Sequence, residues 1–145
     1  QWSLGKVGIE VEIHPQDSGT FVTIGRQDMG DQWRNIQLFM QDFVGMSDPY
    51  YSMTWFISAQ MGLWNWERFN NKEFDRLNSA AIETSDEAER SRIYWRMQDL
   101  MEESGCYRFL TNGVMPNIFR NTIEPAFRPD GYALYREFRP SERTA

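Results

Sequence analysis

Asn70-Asn71-Lys72-Glu73-Phe74-Asp75-Arg76-Leu77, followed by Thr84-Ser85-Asp86-Glu87-Ala88-Glu89-Arg90, reads as two helices joined by an acidic turn. Asn70-x-x-Glu73 has the form of a capping box with Asn in place of Ser or Thr. The helix behind it is expected to run to about Glu83 on Phe74, Leu77, Ala80 and Ala81. Asp86 opens a longer helix, in which Ile93, Tyr94, Met97, Leu100 and Met101 recur at i, i+3 or i+4. Gly105 closes that helix in the C′ position. The acids Asp86, Glu87 and Glu89 suit a helix N-terminus, and Arg90 and Arg92 suit ordinary i,i+4 pairing. Asp75, beside Glu73 and Arg76, is expected to make a solvated ion pair.

Working outward, strand patterns flank the pair. Val7, Ile9, Val11 and Ile13 alternate with Gly8, Glu10, Glu12 and His14, the period of a half-buried strand. Asp17-Ser18-Gly19 is a turn that caps a short helix from Thr20 to Gln27, with Phe21 and Ile24 facing inward. Ile36 to Phe43 reads as a buried parallel strand, and Gly45-Met46-Ser47-Asp48-Pro49 as the loop at its carboxyl end. Asp48 is placed to cap a helix that has Pro49 as its first residue. Cys106 to Thr111 and Tyr132 to Phe138 are expected to be short strands, the second in a proline-punctuated tail. Strands alternating with helices predict an α/β fold, a layered sheet flanked by helices.

Bulk composition excludes several classes. A net charge of -6 lacks the basic stripe of a nucleic-acid binder. No apolar run approaches the ~20 residues that span a bilayer. Gln1-Trp2-Ser3-Leu4-Gly5-Lys6 carries neither an apolar h-region nor a cleavage site nor an initiating Met, so the expectation is a piece of a longer or processed polypeptide. Cys106 and His14 are each the only residue of their type, which leaves no zinc framework, and Ser47, Ser58 and Ser104 lack a triad context. Neither a cofactor nor a metal is expected. His14 reads as a surface residue.

The ordered set Gly5-Lys6-Val7-Gly8-Ile9-Glu10-Val11, Asp48-Pro49, Asn71…Phe74-Asp75, Arg90…Tyr94…Gln98 and Pro125 to Phe138, around a Pro-x-Gly turn, resembles one family. It is similar to the peptide-type (family 5) extracellular solute-binding proteins of ABC importers. The resemblance implies part of a type II periplasmic-binding-protein-like lobe. Residues 1–115 would form the latter part of the second ligand-binding lobe, and 116–145 a tail returning toward the first. It implies solute capture without catalysis, outside the cytoplasmic membrane, with a membrane lipoprotein anchor as one form of the full-length protein. The implied partners are a small solute or peptide-like ligand, opines included, the remaining lobe of the same protein and a membrane permease. Peptide-binding members carry an Asp a few residues before the Asp-Pro dipeptide, which pairs with the peptide's amino group. Gly45 stands there in this chain and Asp42 lies further upstream, which points away from that amine clamp.

Ligands of open α/β sheets sit at the carboxyl ends of strands, where Phe43, Gly45, Met46, Ser47 and Asp48 fall. Trp64 and Trp66 could supply a stacking wall and Asn65 an amide that reads a polar group. For each, packing is the alternative reading, and for Tyr50, Tyr51 and Trp55 packing is favoured. Two other classes are weighed beside solute capture. One is a carbohydrate-active α/β enzyme using Asp42, Asp48 and Glu67 near the Trp-rich loop. The other is a partner-docking module on the helices from Asn71 to Gly105, which predicts a large exposed apolar patch there.

Overall fold

The computed structural model describes residues 1–42, 48–111 and 116–141. Its centre is the predicted helix pair, α4 (Lys72–Glu83) and α5 (Glu87–Glu103), preceded by the short helices α1 (Trp2–Gly5), α2 (Ser18–Ile24) and α3 (Pro49–Met53). Asn71, not Asn70, is the cap of α4: its Oδ1 accepts from the N–H groups of Glu73 and Phe74 at 2.9 and 3.1 Å. That shift by one residue puts Phe74 rather than Glu73 at the third helical position, so no reciprocal capping box forms. Glu73 instead reaches across to Arg96 of α5 at 3.0 Å. Asp86 caps α5 by accepting from the Glu89 N–H at 2.7 Å. Gly105, with φ +71, turns the chain out of α5 through a left-handed position that a side chain would strain.

Three residues join α4 to α5, so the two helices fold back against each other. Phe74 and Ala81 from α4 and Ile93, Tyr94, Met97, Leu100 and Met101 from α5 form the core, together with Phe56 and Phe69 from the segment before α4. Phe74 and Met97 are fully shielded from solvent. The opposite faces stay open, with Ile82 and Trp95 mostly exposed.

The expected layered sheet does not form within the described residues. Residues 9–17 and 37–42 have no regular structure. Val7, Ile9 and Ile13 are 72%, 51% and 60% exposed, and Leu38 and Met40 are each 77% exposed. A period-two pattern prepares an apolar face, but a strand persists only where a neighbour takes up its N–H and C=O groups. Cys106 to Thr111 is likewise irregular, and Tyr132 to Phe138 contains a 3₁₀ turn at Tyr135–Glu137 instead of a strand. The sheet observed is a two-stranded antiparallel pair, β1 (Ile123–Glu124) with β2 (Arg139–Pro140), in register Ile123↔Pro140. Pro129-Asp130-Gly131 makes the turn between them, closed by the Gly131 N–H on the Arg128 carbonyl at 2.9 Å. The expected boundary at residue 115 falls outside the described residues.

α2 begins at Ser18 because Asp17 accepts from the N–H groups of Gly19 and Thr20, both at 3.0 Å, and from the Thr20 hydroxyl at 2.6 Å. It stops at Ile24, three residues short of expectation, where the buried Gly25 lies under Trp66. A Cβ at Gly25 would stand 2.0 Å from that indole.

If the helix pair carries the fold, Met97→Ala should destabilise the chain by about 2–5 kcal/mol. Ile82→Ala on the open face of α4 should cost no more than about 0.5 kcal/mol. Urea unfolding followed by helical circular dichroism checks both values, and equal losses would contradict this placement of the core.

Candidate ligand-recognition surface

Phe43, Gly45, Met46 and Ser47 lie outside the described residues. The remaining predicted site residues fall into three different settings. Asp48 caps α3 by accepting from the Tyr50 N–H at 2.9 Å. Both of its carboxylate oxygens also receive Nη2 of Arg90, at 2.6 and 2.8 Å. The Arg90 hydrogen bond, helped by the Tyr50 N–H, holds the Asp48 carboxyl below the usual carboxylate range. Asp48 is therefore a charged cap tied to α5 rather than a free ligand acceptor.

Arg90 does more than the i,i+4 pairing expected of it. Its Nε donates to the Ala81 carbonyl at 3.0 Å, one of the acceptors left open at the end of α4. Its Nη2 also lies 3.1 Å from the Tyr94 hydroxyl. One guanidinium thus joins the end of α4, the start of α3 and the first turns of α5. Asp75 departs from expectation in the same way. Its carboxylate accepts the Ser58 N–H at 2.9 Å and also the Ser58 hydroxyl. The segment 48–58 is fastened at one end by Arg90 and at the other by Asp75.

The sequence reading of Asn65 as an amide that recognises a polar group is corrected by its setting. The residue is wholly buried. Its Nδ2 donates to the carbonyls of Phe56, Ile57 and Phe69 at 3.0, 3.2 and 2.7 Å, and its Oδ1 accepts the Phe69 N–H at 2.9 Å. The side chain supplies the backbone of an irregular loop with the partners that a helix or sheet would otherwise provide.

The two indoles beside it part company. Trp66 packs inward, against Phe21 and Phe39 at centroid distances of 5.5 and 5.1 Å, and its Nε1–H donates to the Leu63 carbonyl at 2.8 Å. Trp64 is 37% exposed and stacks on Trp55, with centroids 5.2 Å apart and planes 26° apart. Tyr51, 49% exposed, continues this row 6.1 Å from Trp55. Arg26 lies 5.5 Å from the Trp64 centroid and is paired with Asp28. Trp55, only partly exposed, thus joins the exposed rings of Tyr51 and Trp64 in one aromatic row. The i,i+4 spacing of Tyr51 and Trp55 was the available signal.

Arg68 sits next to this loop at φ 57, an uncommon left-handed conformation for a residue with a side chain. Its guanidinium lies 3.9 Å over the Trp33 ring. Glu67 is partly buried and takes a hydrogen bond from the Tyr107 hydroxyl at 3.3 Å. Burial pushes the Glu67 carboxyl above its ordinary range and outweighs that bond. Burial also raises Tyr107, which stays a donor. Of the three carboxylates weighed for glycosidic chemistry, Asp48 is held by Arg90 and Glu67 by Tyr107, while Asp42 is exposed in irregular chain. His14 is exposed beside Glu12 at 3.4 Å. Among the described residues no group of three or more His, Cys, Asp and Glu could hold a metal ion, and no helix is long and apolar enough to cross a membrane.

Comparison with known proteins finds a distant similarity. The chain is 33% identical over 112 residues to the "Probable D,D-dipeptide-binding periplasmic protein DdpA" of Escherichia coli (strain K12). The matched region covers 76% of this chain and 21% of that protein, so the chain spans about a fifth of the relative's length. No protein-family model matches the sequence, and no solved structure matches it.

The raised Glu67 carboxyl sets the sign of a pH effect. The folded chain binds this proton more tightly than the unfolded chain, so the contribution is present below the ordinary Glu range and lost as pH rises through the folded value. Glu67→Gln, neutral at every pH, should be more stable than the parent at neutral pH. The gap should close toward pH about 4. Urea midpoints at the two pH values check this, and a pH-independent gap would contradict burial as the cause.

Proposed function

We propose that this chain forms part of the solute-capturing subunit of an ABC importer for peptides or peptide-like solutes. It would act outside the cytoplasmic membrane and deliver its solute to a membrane permease. The observation that carries this reading is the 33% identity over 112 residues to a protein named for binding D,D-dipeptides in the periplasm. That relative is named as a binding protein, which supports capture rather than catalysis. The partly exposed row Tyr51, Trp55 and Trp64 supports it from the side of chemistry. Rigid aromatic faces offer apolar area at small entropic cost and accept many side chains.

In the same reading the chain contributes residues 1–115 to the second lobe of a type II binding protein, and 116–145 to a tail running toward the first. The exposed alternation of Val7, Ile9 and Ile13, and the exposed Leu38 and Met40, fit segments that become strands when the rest of a lobe supplies neighbours. The solute would contact both lobes only in the closed form, so binding would shift the population toward closure. With Gly45 where peptide-binding members carry the amine-pairing Asp, the anchor for the solute would come from aromatic contact and from the other lobe.

Titration calorimetry with L,L- and D,D-dipeptides and a tetrapeptide tests the proposal. The polypeptide encoded by the whole gene should bind at least one class with micromolar affinity or better, whereas residues 1–145 alone should bind weakly or not at all. Micromolar binding by residues 1–145 alone would overturn the two-lobe assignment. Failure of the whole polypeptide to bind any of these peptides would overturn the peptide reading.

A further inference from the structure

We infer that Arg90 and Asp75 are positioning residues for the partly exposed aromatic row Tyr51, Trp55 and Trp64, acting through the backbone that carries it; the inference rests on reading that row as a recognition surface. Three polar clamps converge on the segment from Asp48 to Phe69. Arg90 grips the Asp48 carboxylate at 2.6 and 2.8 Å while bound to the Ala81 carbonyl at 3.0 Å. Asp75 takes the N–H and the hydroxyl of Ser58. Asn65 ties Phe56 and Ile57 to Phe69. Tyr51 and Trp55 lie between the first two clamps, and Trp64 immediately precedes the third.

The segment itself has little regular structure to hold this arrangement. α3 is five residues long and is followed only by single 3₁₀ turns at Thr54–Phe56 and Ser58–Gln60. Such short turns do not fix side-chain directions alone. The helix pair does, through one arginine and one carboxylate that each make several bonds at once. Arg90 is suited to this because a planar fork donates in several directions, which a lysine ammonium on a flexible stem does not reproduce. The carboxylate of Asp75 has two acceptor oxygens for the two Ser58 donors, and an amide has one.

The test uses the full 145-residue chain and the indole ¹H–¹⁵N resonances of Trp55 and Trp64, assigned with Trp55→Phe and Trp64→Phe. Ring currents make the Trp64 resonance report its stacking on Trp55. In Arg90→Lys and in Asp75→Asn, the Trp64 resonance should move most of the way to its position in Trp55→Phe, while helical circular dichroism is unchanged. A merely stabilising role would lower the urea midpoint and leave both indole resonances in place, which would overturn the inference. If either variant also loses helicity, Ser58→Ala removes only one hydroxyl contact of the Asp75 clamp. The same directional shift must then appear in it, and its absence overturns the inference. Because no solute takes part, this result is independent of whether peptides bind.

Discussion

One buried amide organises the part of this chain that has no regular secondary structure. Asn65 replaces a ladder of backbone hydrogen bonds with four side-chain bonds, to Phe56, Ile57 and Phe69. Removing a buried partner leaves the stranded groups unsolvated at about 1–3 kcal/mol each, so the loop cannot open at this point without cost. Because Phe56 and Phe69 belong to the same core as Phe74 and Met97, the amide also binds the loop to the helix pair. That connection fixes the loop to the core at Phe56, Ile57 and Phe69, while Arg90 and Asp75 fasten it at Asp48 and Ser58.

The helices supply the rest of the frame through charge. Arg90 closes the end of α4 and the start of α3 together, and Arg96 on the same helix links Glu73 and Glu103 at 3.0 Å each. As isolated surface pairs such bonds contribute little. Here they act on backbone ends and turns with few other constraints, so their effect is on geometry more than on total stability. The aromatic row Tyr51, Trp55 and Trp64 is the product: partly exposed rings mounted on a segment fastened at Asp48, Ser58 and Asn65.

The local parts of this arrangement were legible in the sequence. Apolar spacing and capping residues located α4 and α5, Asp48-Pro49 located α3, and Gly105 located the end of α5, because each depends on residues within a turn of one another. Asn70 and Asn71 offer the same side chain, so the sequence does not fix which of them caps α4. The bonds that matter most were not legible. Arg90 to Asp48 and Asp75 to Ser58 join residues far apart in the chain, and no periodicity marks them. Trp64-Asn65-Trp66 reads as one unit in sequence, yet its three side chains take an exposed stack, a buried backbone clamp and an inner packing site. The alternation of Val7 to Ile13 has the period of a strand, but a strand also needs a neighbour, and a single sequence does not display one.

The central claim is that the aromatic loop and the helix pair form one cooperative unit held by Asn65. Native-state hydrogen exchange at the Phe69 N–H, which donates to the Asn65 side chain, tests it most directly. The account predicts protection of Phe69 equal to that of the α5 amides at Met97 and Met101, all exchanging through the same global opening. Exchange of Phe69 at rates near those of residues 9–14, with α5 still protected, would contradict it.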